Sequence, residues 1–366
     1  IPLRLVGSEM CIRDRSGMEA ESLLLMDQIL DAKPADQETR LMRSLSLLKA
    51  GRFRDGWLEY EARHNSPTSG GRVFPWVDPR SVGTEGDRRV VLVGEQGLGD
   101  QIMFASCIPD LAQDGFGGVL ECDRRLVRLF QRSFPTFEVK PATTDEAIKQ
   151  HAEERGIRQW IAMGSLPARH RNTLSDFPEH SGYLRADPEK CAKWRDRLKS
   201  VGPGPYVGIS WKGGAARTRA QLRSIPLSDW LPLSETGAQF VSLQYGDVHA
   251  EMEGFLGRHK QRIHHWSDAI IDYDETAALI SELDLVISVC TSVVHLAGAL
   301  GRTVWVLVPS VAEWRYLIRG TRMPWYPTVR MFRQGVGEPW TAVIERIVAR
   351  FRSTVRHQRM NPKQLA

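Results

Sequence analysis

The sequence predicts an α/β protein with two domains, each built on a parallel sheet, preceded by a short all-α segment. Three observations lead to this prediction. Short strands rich in Val, Ile and Leu alternate with helices in two consecutive series, as in parallel sheets covered on both faces. A stretch rich in Gly and Pro (SVGPGP, residues 200–205) separates the two series. The chain has 366 residues, which is enough to bury two hydrophobic cores.

Residues 1–17 are expected to be non-native and take no part in the fold prediction. The string VGSEMCIRDR resembles translated sequencing-adapter sequence. The segment also lacks the apolar stretch and the small-residue cleavage site of a signal peptide. We therefore expect the natural N-terminus to lie further upstream.

Residues 18–64 are predicted to form a partial tetratricopeptide-like array. Apolar residues recur at helical spacing in three runs, and Pro34 and Gly51 punctuate them. Helices of about 12 residues joined by tight turns are the unit of tetratricopeptide arrays. About one and a half repeats are too few for a stable array, so these helices must pack against the next domain or against absent repeats. The alternative is an ordinary N-terminal helical hairpin.

The remaining segments complete the predicted domain organisation. Residues 65–88 are rich in Gly, Pro and Ser and are expected to form a linker. Residues 89–202 and 203–335 are predicted to be two Rossmann-like domains facing a cleft. Ligands are expected in that cleft, because open α/β sheets bind at the carboxyl ends of their strands. Residues 336–366 are predicted to be a C-terminal helix and tail.

Charge, cysteine content and hydropathy restrict the function classes. The net charge of +5 is spread along the chain, which favours an anionic ligand and at most peripheral contact with a membrane. No basic cluster is interleaved with aromatic residues, so nucleic acid is not an expected partner. The five cysteines form no CxxC pair, which argues against a zinc site or a disulfide framework and favours a cytoplasmic location. No stretch has the roughly 18 apolar residues of a membrane span.

The first candidate motif is GEQGLGD (residues 94–100), between a strand and a helix. Gly97 and Gly99 would let the backbone approach a ligand, and a helix N-terminus favours negative charge. The spacing matches neither the dinucleotide fingerprint nor a P-loop. Asp100 is interpreted either as a helix cap or as a carboxylate that takes the proton from a reacting hydroxyl.

The second candidate motif is GISWKGG (residues 208–214), at the end of the first strand of the second series. Ser210, Lys212 and the glycines are predicted to cradle a diphosphate. The following arginines strengthen this prediction, namely Arg217, Arg219 and Arg223. The alternative is that Lys212 is an ordinary solvated loop lysine.

The third candidate motif is CTSVVHLAG (residues 290–298), again at a strand end that runs into a helix. Thr291 or Ser292 can cap the helix, and its N-terminus can hold a phosphate. His295 lies one turn further along and is expected to face the same ligand. The alternative is a capped core helix with a satisfied histidine.

In order and spacing, these motifs resemble the heptosyltransferases and their relatives (glycosyltransferase family nine), in the branch fused to tetratricopeptide repeats. The resemblance runs from about Gly51 to Trp340. It rests on the strings GRFRDGWLEYEAR, GEQGLGDQIMFA, GISWKGG with RSIPLSDW, LDLVISVCTSVVHLAGALG, VWVLVP, WRY and WYPTVRMFRQ.

The resemblance implies a GT-B fold and inverting sugar transfer that needs no metal and no other cofactor. The donor would be a nucleotide-diphosphate sugar and the acceptor a hydroxyl of a glycan, lipid or protein. Asp100 would be the general base, and Lys212 and Arg223 would neutralise the leaving diphosphate. The segment from Thr291 to His295, with Ser292, would receive the donor phosphates. The tetratricopeptide-like helices suggest a protein partner.

Cys290 departs from the pattern, because relatives usually carry an acidic or amide residue there. A thiol accepts hydrogen bonds only weakly, which puts donor binding in question. A non-catalytic tetratricopeptide scaffold with a degenerate transferase-like domain therefore remains the second hypothesis. A nicotinamide-dependent dehydrogenase is a weaker third hypothesis, because no G-x-G-x-x-G turn with a well-placed acidic residue is present.

Two further patterns contain residue types that are common in active sites. The triplet Asp272-Tyr273-Asp274 formally matches the DxD motif of metal-dependent glycosyltransferases, but its place before a helix favours capping, and no metal is predicted. A late cluster of aromatic and basic residues either lines the cleft or packs around an irregular segment: Trp314, Arg315, Trp325, Tyr326 and Arg333.

Overall fold

The computed structural model describes residues 19–65, 74–83, 86–214, 220–260 and 262–360. The chain divides into two compact units. The first comprises Ile1–Arg185 and Val311–Pro327, and the second comprises Ala186–Ser310 and Thr328–Ala366. The adapter-like segment 1–17, and the predicted anion-binding residues Arg217 and Arg219, lie outside the described residues.

Three helices open the first unit: α1 (Glu19–Ala32), α2 (Gln37–Lys49) and α3 (Phe53–Tyr60), with a 3₁₀ turn at Glu61–Asn65. Asp36 caps α2 by accepting a hydrogen bond from Thr39 N at 3.1 Å. Gly51 has a φ of +79°, which a residue without Cβ adopts freely, and this lets the chain reverse between α2 and α3. The helices lie where they were predicted; their tetratricopeptide character stays a prediction.

A four-stranded parallel sheet forms the centre of the first unit. Its strands, in the spatial order β3-β2-β1-β4, are β1 (Arg89–Val93), β2 (Gly117–Cys122), β3 (Phe137–Pro141) and β4 (Gln159–Ala162). The connecting helices are α4 (Leu98–Phe104), α5 (Ile108–Gln113), α6 (Val127–Ser133), α7 (Asp145–Glu154) and α8 (Pro167–His170). This order is that of half a Rossmann fold, with the strands buried between helices.

Part of the predicted linker adds to the edge of this sheet. Trp76 forms a parallel bridge with Trp160 of β4, and Val77 N donates to the Trp160 carbonyl oxygen at 2.9 Å. Phe74 is buried and stacks on the Trp160 ring, with centroids 4.9 Å apart. Residues 65–88 were predicted to form a linker, but Phe74, Trp76 and Val77 pack on the sheet instead. The reason is that the free energy of the aromatic side chains is lower when they are packed against other rings than when they are exposed to solvent.

A larger sheet, most of whose residues are in the second unit, has the spatial order β10-β11-β9-β8-β5-β6-β7. Its strands are β5 (Tyr206–Ser210), β6 (Gln239–Ser242), β7 (Ile263–His264), β8 (Leu285–Val289), β9 (Val304–Val308), β10 (Arg322–Met323) and β11 (Tyr326–Arg333). The short strand β10 and the first two residues of β11 belong to the first unit, and β11 continues in the second from Thr328. The pairings from β11 through to β7 are parallel.

Helices connect the strands of this sheet and cover it. They are α9 (Pro188–Lys199), α10 (Leu231–Ser234), α11 (His249–His259), α12 (Asp268–Ile271), α13 (Tyr273–Ser281), α14 (Ser292–Ala299) and α15 (Trp340–Met360), with 3₁₀ turns at Ala220–Arg223 and Leu227–Trp230. Every residue of β8 and β9 is buried, as expected for central parallel strands. The predicted α/β fold class with two parallel sheets is confirmed. Within the described residues, no helix is long and apolar enough to span a bilayer.

The units divide the chain differently from the predicted domains. Helix α9, predicted to close the first domain, packs on α13, where Trp194 Nε1 donates to Glu275 Oε2 at 2.8 Å. The segment Val311–Pro327, predicted to be part of the second domain, returns to the first unit. There Ile318 N donates to the Lys49 carbonyl oxygen at 3.1 Å. Such returns depend on long-range packing, which local sequence pattern does not report.

Helix α9 begins at a strong capping site. Asp187 is the N-cap and Pro188 the first helical residue, and Asp187 Oδ1 accepts from Glu189 N at 2.9 Å and Lys190 N at 3.2 Å. Asp187→Ala is expected to lower the free energy of unfolding by about 1 kcal/mol, measured by urea denaturation. The control is Asp196→Ala on the same helix, where the side chain is 79% exposed and the expected change is within about 0.5 kcal/mol. Equal losses in the two variants would contradict the capping role.

Candidate active-site residues

The turn after β1 brings Asp100 to the start of a helix. Gly94 N donates to the Glu121 carbonyl oxygen at 2.7 Å, and a Cβ at Gly94 would lie only 2.8 Å from that oxygen. Only glycine fits this approach. Helix α4 starts after Gly97, and Asp100 Oδ2 accepts a hydrogen bond from Gly97 N at 3.2 Å. Gly99 is the second residue of α4, so the structure gives it a helical role.

Asp100 also forms an ion pair that sequence reasoning missed. Arg315 Nη2 lies 2.7 Å from Asp100 Oδ1, and Arg315 Nη1 lies 2.9 Å from Glu313 Oε2. Burial lowers the pKa of Arg315, but the carboxylates of Asp100 and Glu313 outweigh burial and raise that pKa above its ordinary value. The capping bond and the ion pair use two of about four acceptor positions on the Asp100 carboxylate, which leaves capacity for a hydroxyl proton.

The loop after β5 is held by one glutamine. Gln244 Oε1 accepts hydrogen bonds from Trp211 N and Lys212 N, both at 2.9 Å, and from the Ser210 hydroxyl at 3.1 Å. The Ser210 hydroxyl is buried and engaged with Gln244, so it orders the loop here. The Lys212 ammonium projects further and pairs with Glu251 at the start of α11.

Arg223 connects the second motif to the third. Its Nη1 donates to the carbonyl oxygen of Cys290, at the end of β8. Its side chain also lies beside Gly213, where a Cβ would be 2.9 Å from Arg223 Cγ. Because β5 and β8 are neighbouring parallel strands, with Ser210 opposite Ser288, their carboxyl ends lie together. The structure therefore brings the Lys212 loop, Arg223 and the Cys290 segment to one sheet edge.

The third motif provides the N-terminus of α14. Thr291 is the N-cap residue, and its hydroxyl lies 3.2 Å from the Ser288 hydroxyl. Ser292 Oγ accepts a hydrogen bond from the Tyr273 hydroxyl at 2.7 Å. Thr291 and Ser292 are half-buried, whereas His295 is buried one turn further along. Of the three, Thr291 and Ser292 lie at the helix end, and the position of His295 fits the core-helix alternative better.

Cys290, the departure noted in the sequence, points into the second unit. Its thiol is buried and donates weakly to the Leu307 carbonyl oxygen of β9, with a sulfur–oxygen distance of 3.5 Å. The end of β8 is therefore held by the backbone of Cys290, whose carbonyl oxygen accepts a hydrogen bond from Arg223. The thiol takes no part in that bond.

The acidic triplet at the start of α13 acts as a helix cap. Asp272 Oδ1 accepts from Asp274 N at 3.0 Å, as the sequence analysis favoured. Lys190 lies 3.0 Å from Asp274 and 3.1 Å from Glu275, so one ammonium already pairs with both carboxylates. In the described part of the chain, no group of three or more His, Cys, Asp or Glu side chains is arranged to hold a metal ion.

Two further residues hold predicted site residues in place, one in each unit. Gln244 lies two residues after the end of the strand β6, so a polar residue close to a strand end was the signal that could have identified it. Arg315 lies 215 positions from Asp100, and no local pattern links the two. The sequence places Arg315 in a cluster of aromatic and basic residues but does not indicate its partner.

The second sheet edge has the features of an anion site. Lys212 and Arg223 supply two cations, and the N-terminus of α14 adds N–H donors and the positive end of a helix dipole. A diphosphate carries its charge over several oxygens, and such a combination of fixed donors matches it.

The sequence is similar to that of a known bacterial protein. No protein-family model matches the chain. Protein FlbA of Caulobacter vibrioides is 34% identical over 318 residues, which cover 81% of this chain and 52% of that protein. The chain thus spans about half the length of that relative.

Two solved structures share the architecture. The ADP-heptose LPS heptosyltransferase II of E. coli gives a TM-score of 0.54 at 12% identity and covers 74% of this chain and 99% of its own. A family-nine glycosyltransferase from Veillonella parvula gives a TM-score of 0.50 at 11% identity, with 68% and 86% covered. At this identity the likeness shows the fold alone. The chain therefore has the GT-B fold of these glycosyltransferases, as the resemblance implied.

Proposed function

We propose that this chain is a glycosyltransferase that moves a sugar from a nucleotide-diphosphate donor to a hydroxyl of a glycan, lipid or protein. The observation that carries the proposal is the group of Lys212, Arg223 and the α14 N-terminus at the carboxyl ends of β5 and β8. The GT-B fold supports it, as does the resemblance of the motifs to heptosyltransferases. A cytoplasmic location and a protein partner for the N-terminal helices stay predictions.

In this mechanism the second unit binds the donor. The N–H groups of α14, with Thr291 and Ser292, receive the phosphates. Lys212 exchanges its partner Glu251 for a phosphate oxygen, and Arg223 adds positive charge. As the glycosidic bond of the donor breaks, the departing diphosphate gains charge, which these fixed groups stabilise in the transition state.

The first unit supplies the base. The acceptor hydroxyl attacks the anomeric carbon, the bond to the diphosphate breaks with inversion, and Asp100 takes the hydroxyl proton. Arg315 keeps the carboxylate in place through its ion pair. We propose that no metal takes part, since the aspartates of the DxD-like triplet already pair with Lys190, at 3.0 Å from Asp274 and 3.8 Å from Asp272, and fixed cations serve the diphosphate.

Nucleotide binding is the direct test of this proposal. Thermal melting of the purified chain should be measured with UDP, GDP, ADP and CMP, their sugar conjugates and NAD. ADP comes first, because an enzyme of the same fold bears ADP-heptose in its name. A ligand at one hundred times its Kd stabilises the folded state by about 2.7 kcal/mol, so one nucleotide diphosphate is expected to raise the Tm by several degrees.

Variants locate the binding site. The shift is expected to disappear or shrink strongly in Lys212→Ala and Thr291→Ala, and to persist in Lys199→Ala, whose side chain is exposed on α9. A shift that survives in all three variants would place the ligand elsewhere. Absence of any nucleotide shift would favour the non-catalytic scaffold, and a shift with NAD alone would favour the dehydrogenase.

A further inference from the structure

The turn that precedes Asp100 has a conformation that its own sequence does not favour. Gln96 has a φ of +63°, in the left-handed region that residues with a Cβ seldom adopt. Its side-chain amide donates a hydrogen bond to the Tyr60 hydroxyl at 2.6 Å. Tyr60 is buried at the end of α3, in the N-terminal helical segment. A tertiary contact therefore helps to hold Gln96 in this conformation.

The residue before Gln96 is fixed even more firmly. Glu95 accepts hydrogen bonds from Arg63 Nε at 3.0 and 3.1 Å and from Arg63 Nη2 at 2.7 Å. Glu95 Oε1 also accepts from Gly164 N at 2.9 Å, and a Cβ at position 164 would collide with that oxygen. Glu95 is thus clamped between a guanidinium and a backbone amide.

Arg63 is itself held by hydrogen bonds from all three of its guanidinium nitrogens. It is 4% exposed and follows α3 in the 3₁₀ turn Glu61–Asn65. Its Nη1 donates to the Tyr60 carbonyl oxygen at 3.1 Å and to Glu61 at 2.8 Å, and its Nη2 also donates to the Ser165 hydroxyl at 2.7 Å. A buried arginine with this many matched acceptors has one geometry, so it can set the position of what it binds.

The same helical segment reaches Asp100 by a second route. The Tyr60 ring packs against Trp314, with centroids 6.2 Å apart, and Trp57 of α3 packs edge-to-face on Trp314 at 5.6 Å. Arg315, the next residue, holds Asp100. Both neighbours of Asp100, the Gly97 turn and Arg315, are therefore supported by residues of the N-terminal helical segment.

We propose that Arg63 and Tyr60 are positioning residues for Asp100, so that the helical segment before the α/β units is part of the catalytic apparatus and not only a docking module. This inference rests on the proposed function. Arg63 and Tyr60 fix Glu95 and Gln96, and these set the turn at Gly97 to which the Asp100 carboxylate is bound. Misplacement of a catalytic group by about 1 Å lowers turnover by roughly one hundredfold.

The test compares two buried arginines of the first unit. Arg63→Lys keeps the charge but cannot bridge both Glu95 oxygens and Ser165 at once. It is expected to lower kcat by about 10- to 100-fold with the donor KM unchanged. Arg171→Lys is the matched control, because Arg171 is 2% exposed and pairs with Asp110 at 2.6 Å, with no bond to the turn. It is expected to lower the Tm and leave kcat unchanged.

Hydrogen exchange gives a readout that does not depend on turnover. The amides of Asp100 and Gln101 donate to the Gly97 carbonyl oxygen, both at 3.0 Å. In a peptide covering residues 94–101, exchange is expected to be about 10-fold faster in Arg63→Lys than in the unchanged chain, and unaltered in Arg171→Lys. Tyr60→Phe, which removes only the hydroxyl bonded to Gln96, is expected to have the same effects in weaker form.

The outcomes separate the two proposals. If the unchanged chain turns over no donor, the proposed function fails, and the exchange measurement alone decides the positioning role. Unaltered exchange at residues 94–101 in both Arg63→Lys and Tyr60→Phe would overturn that role. So would equal losses of kcat in Arg63→Lys and Arg171→Lys. If Arg63→Lys does not fold, Tyr60→Phe decides by the same two measurements.

Discussion

Asp100→Asn is expected to reduce sugar transfer by about 10²- to 10⁴-fold, which is the range for loss of a general base. An amide cannot accept the hydroxyl proton, yet it has nearly the shape of the carboxylate and can still accept from Gly97 N. Arg315 keeps its second partner, Glu313, so the variant is expected to fold. The measurement is the steady-state rate with the donor that the thermal screen identifies. The Tm shift caused by the nucleotide should be unchanged, because its binding residues belong to the second unit.

Asp110→Asn is the matched control for this variant. Asp110 is also an aspartate of the first unit that pairs with a buried arginine, Arg171, at 2.6 Å. Its replacement is expected to lower stability, because a buried guanidinium loses its partner, and to leave turnover unchanged. Full turnover in Asp100→Asn would show that the Asp100 carboxylate only caps α4 and pairs with Arg315. Equal losses of turnover in both variants would indicate general damage to the first unit.

Trp57→Ala is expected to lower the free energy of unfolding of the first unit by about 3–5 kcal/mol. The Trp57 side chain is 1% exposed and contacts three aromatic rings, those of Tyr60, Trp314 and Trp325, with centroids 5.6 to 6.1 Å away. Its Nε1 also donates to the Arg171 carbonyl oxygen at 2.7 Å. The alanine variant leaves a large cavity and an unsatisfied buried carbonyl group, and both effects are destabilising.

Urea denaturation followed by circular dichroism measures this loss. Leu58→Ala is the control on the same helix, because Leu58 is 48% exposed and its replacement should change stability by no more than about 0.5 kcal/mol. Trp57→Phe should fall between the two, because it keeps much of the ring packing and loses the hydrogen bond. If Trp57→Ala removed only an early, separate transition, α1 to α3 would be an independent module and not an integral part of the first unit.

Local signals in the sequence predicted particular elements well. Asp187 and Pro188 mark the start of α9. The third motif was predicted to run into a helix capped by Thr291 or Ser292, and α14 (Ser292–Ala299) begins there. Caps and apolar periodicity depend on residues within a few positions, so they can be read along the chain. Strand β7 is two residues long, too short for any periodicity, and it was missed. Helix α11 was missed as well, since its glycines at 254 and 257 weaken the helical pattern.

The candidate site was predicted only in part for a related reason. The strand-end motifs predicted Asp100, Lys212 and Thr291, because polar and glycine residues that follow an apolar strand can be recognised within a short stretch of sequence. The residues that bind these three or their neighbours were not predicted. They are Gln244, Glu251 and Arg315, which lie between 32 and 215 positions from their partners in the sequence. Their side chains look like ordinary surface residues until the fold brings them together.

The sequence by itself determined the α/β class, the two series of parallel strands and the three glycine-rich or polar strand ends. Each of these features depends on the hydrogen-bonding and packing preferences of residues within a few positions of one another. Tertiary structure alone decided that Val311–Pro327 returns to the first unit, that Arg315 pairs with Asp100, and that Arg63 clamps Glu95. These pairings depend on how crossovers arrange whole elements in space. They are stabilised by the burial of charged and aromatic groups whose partners lie far apart in the sequence.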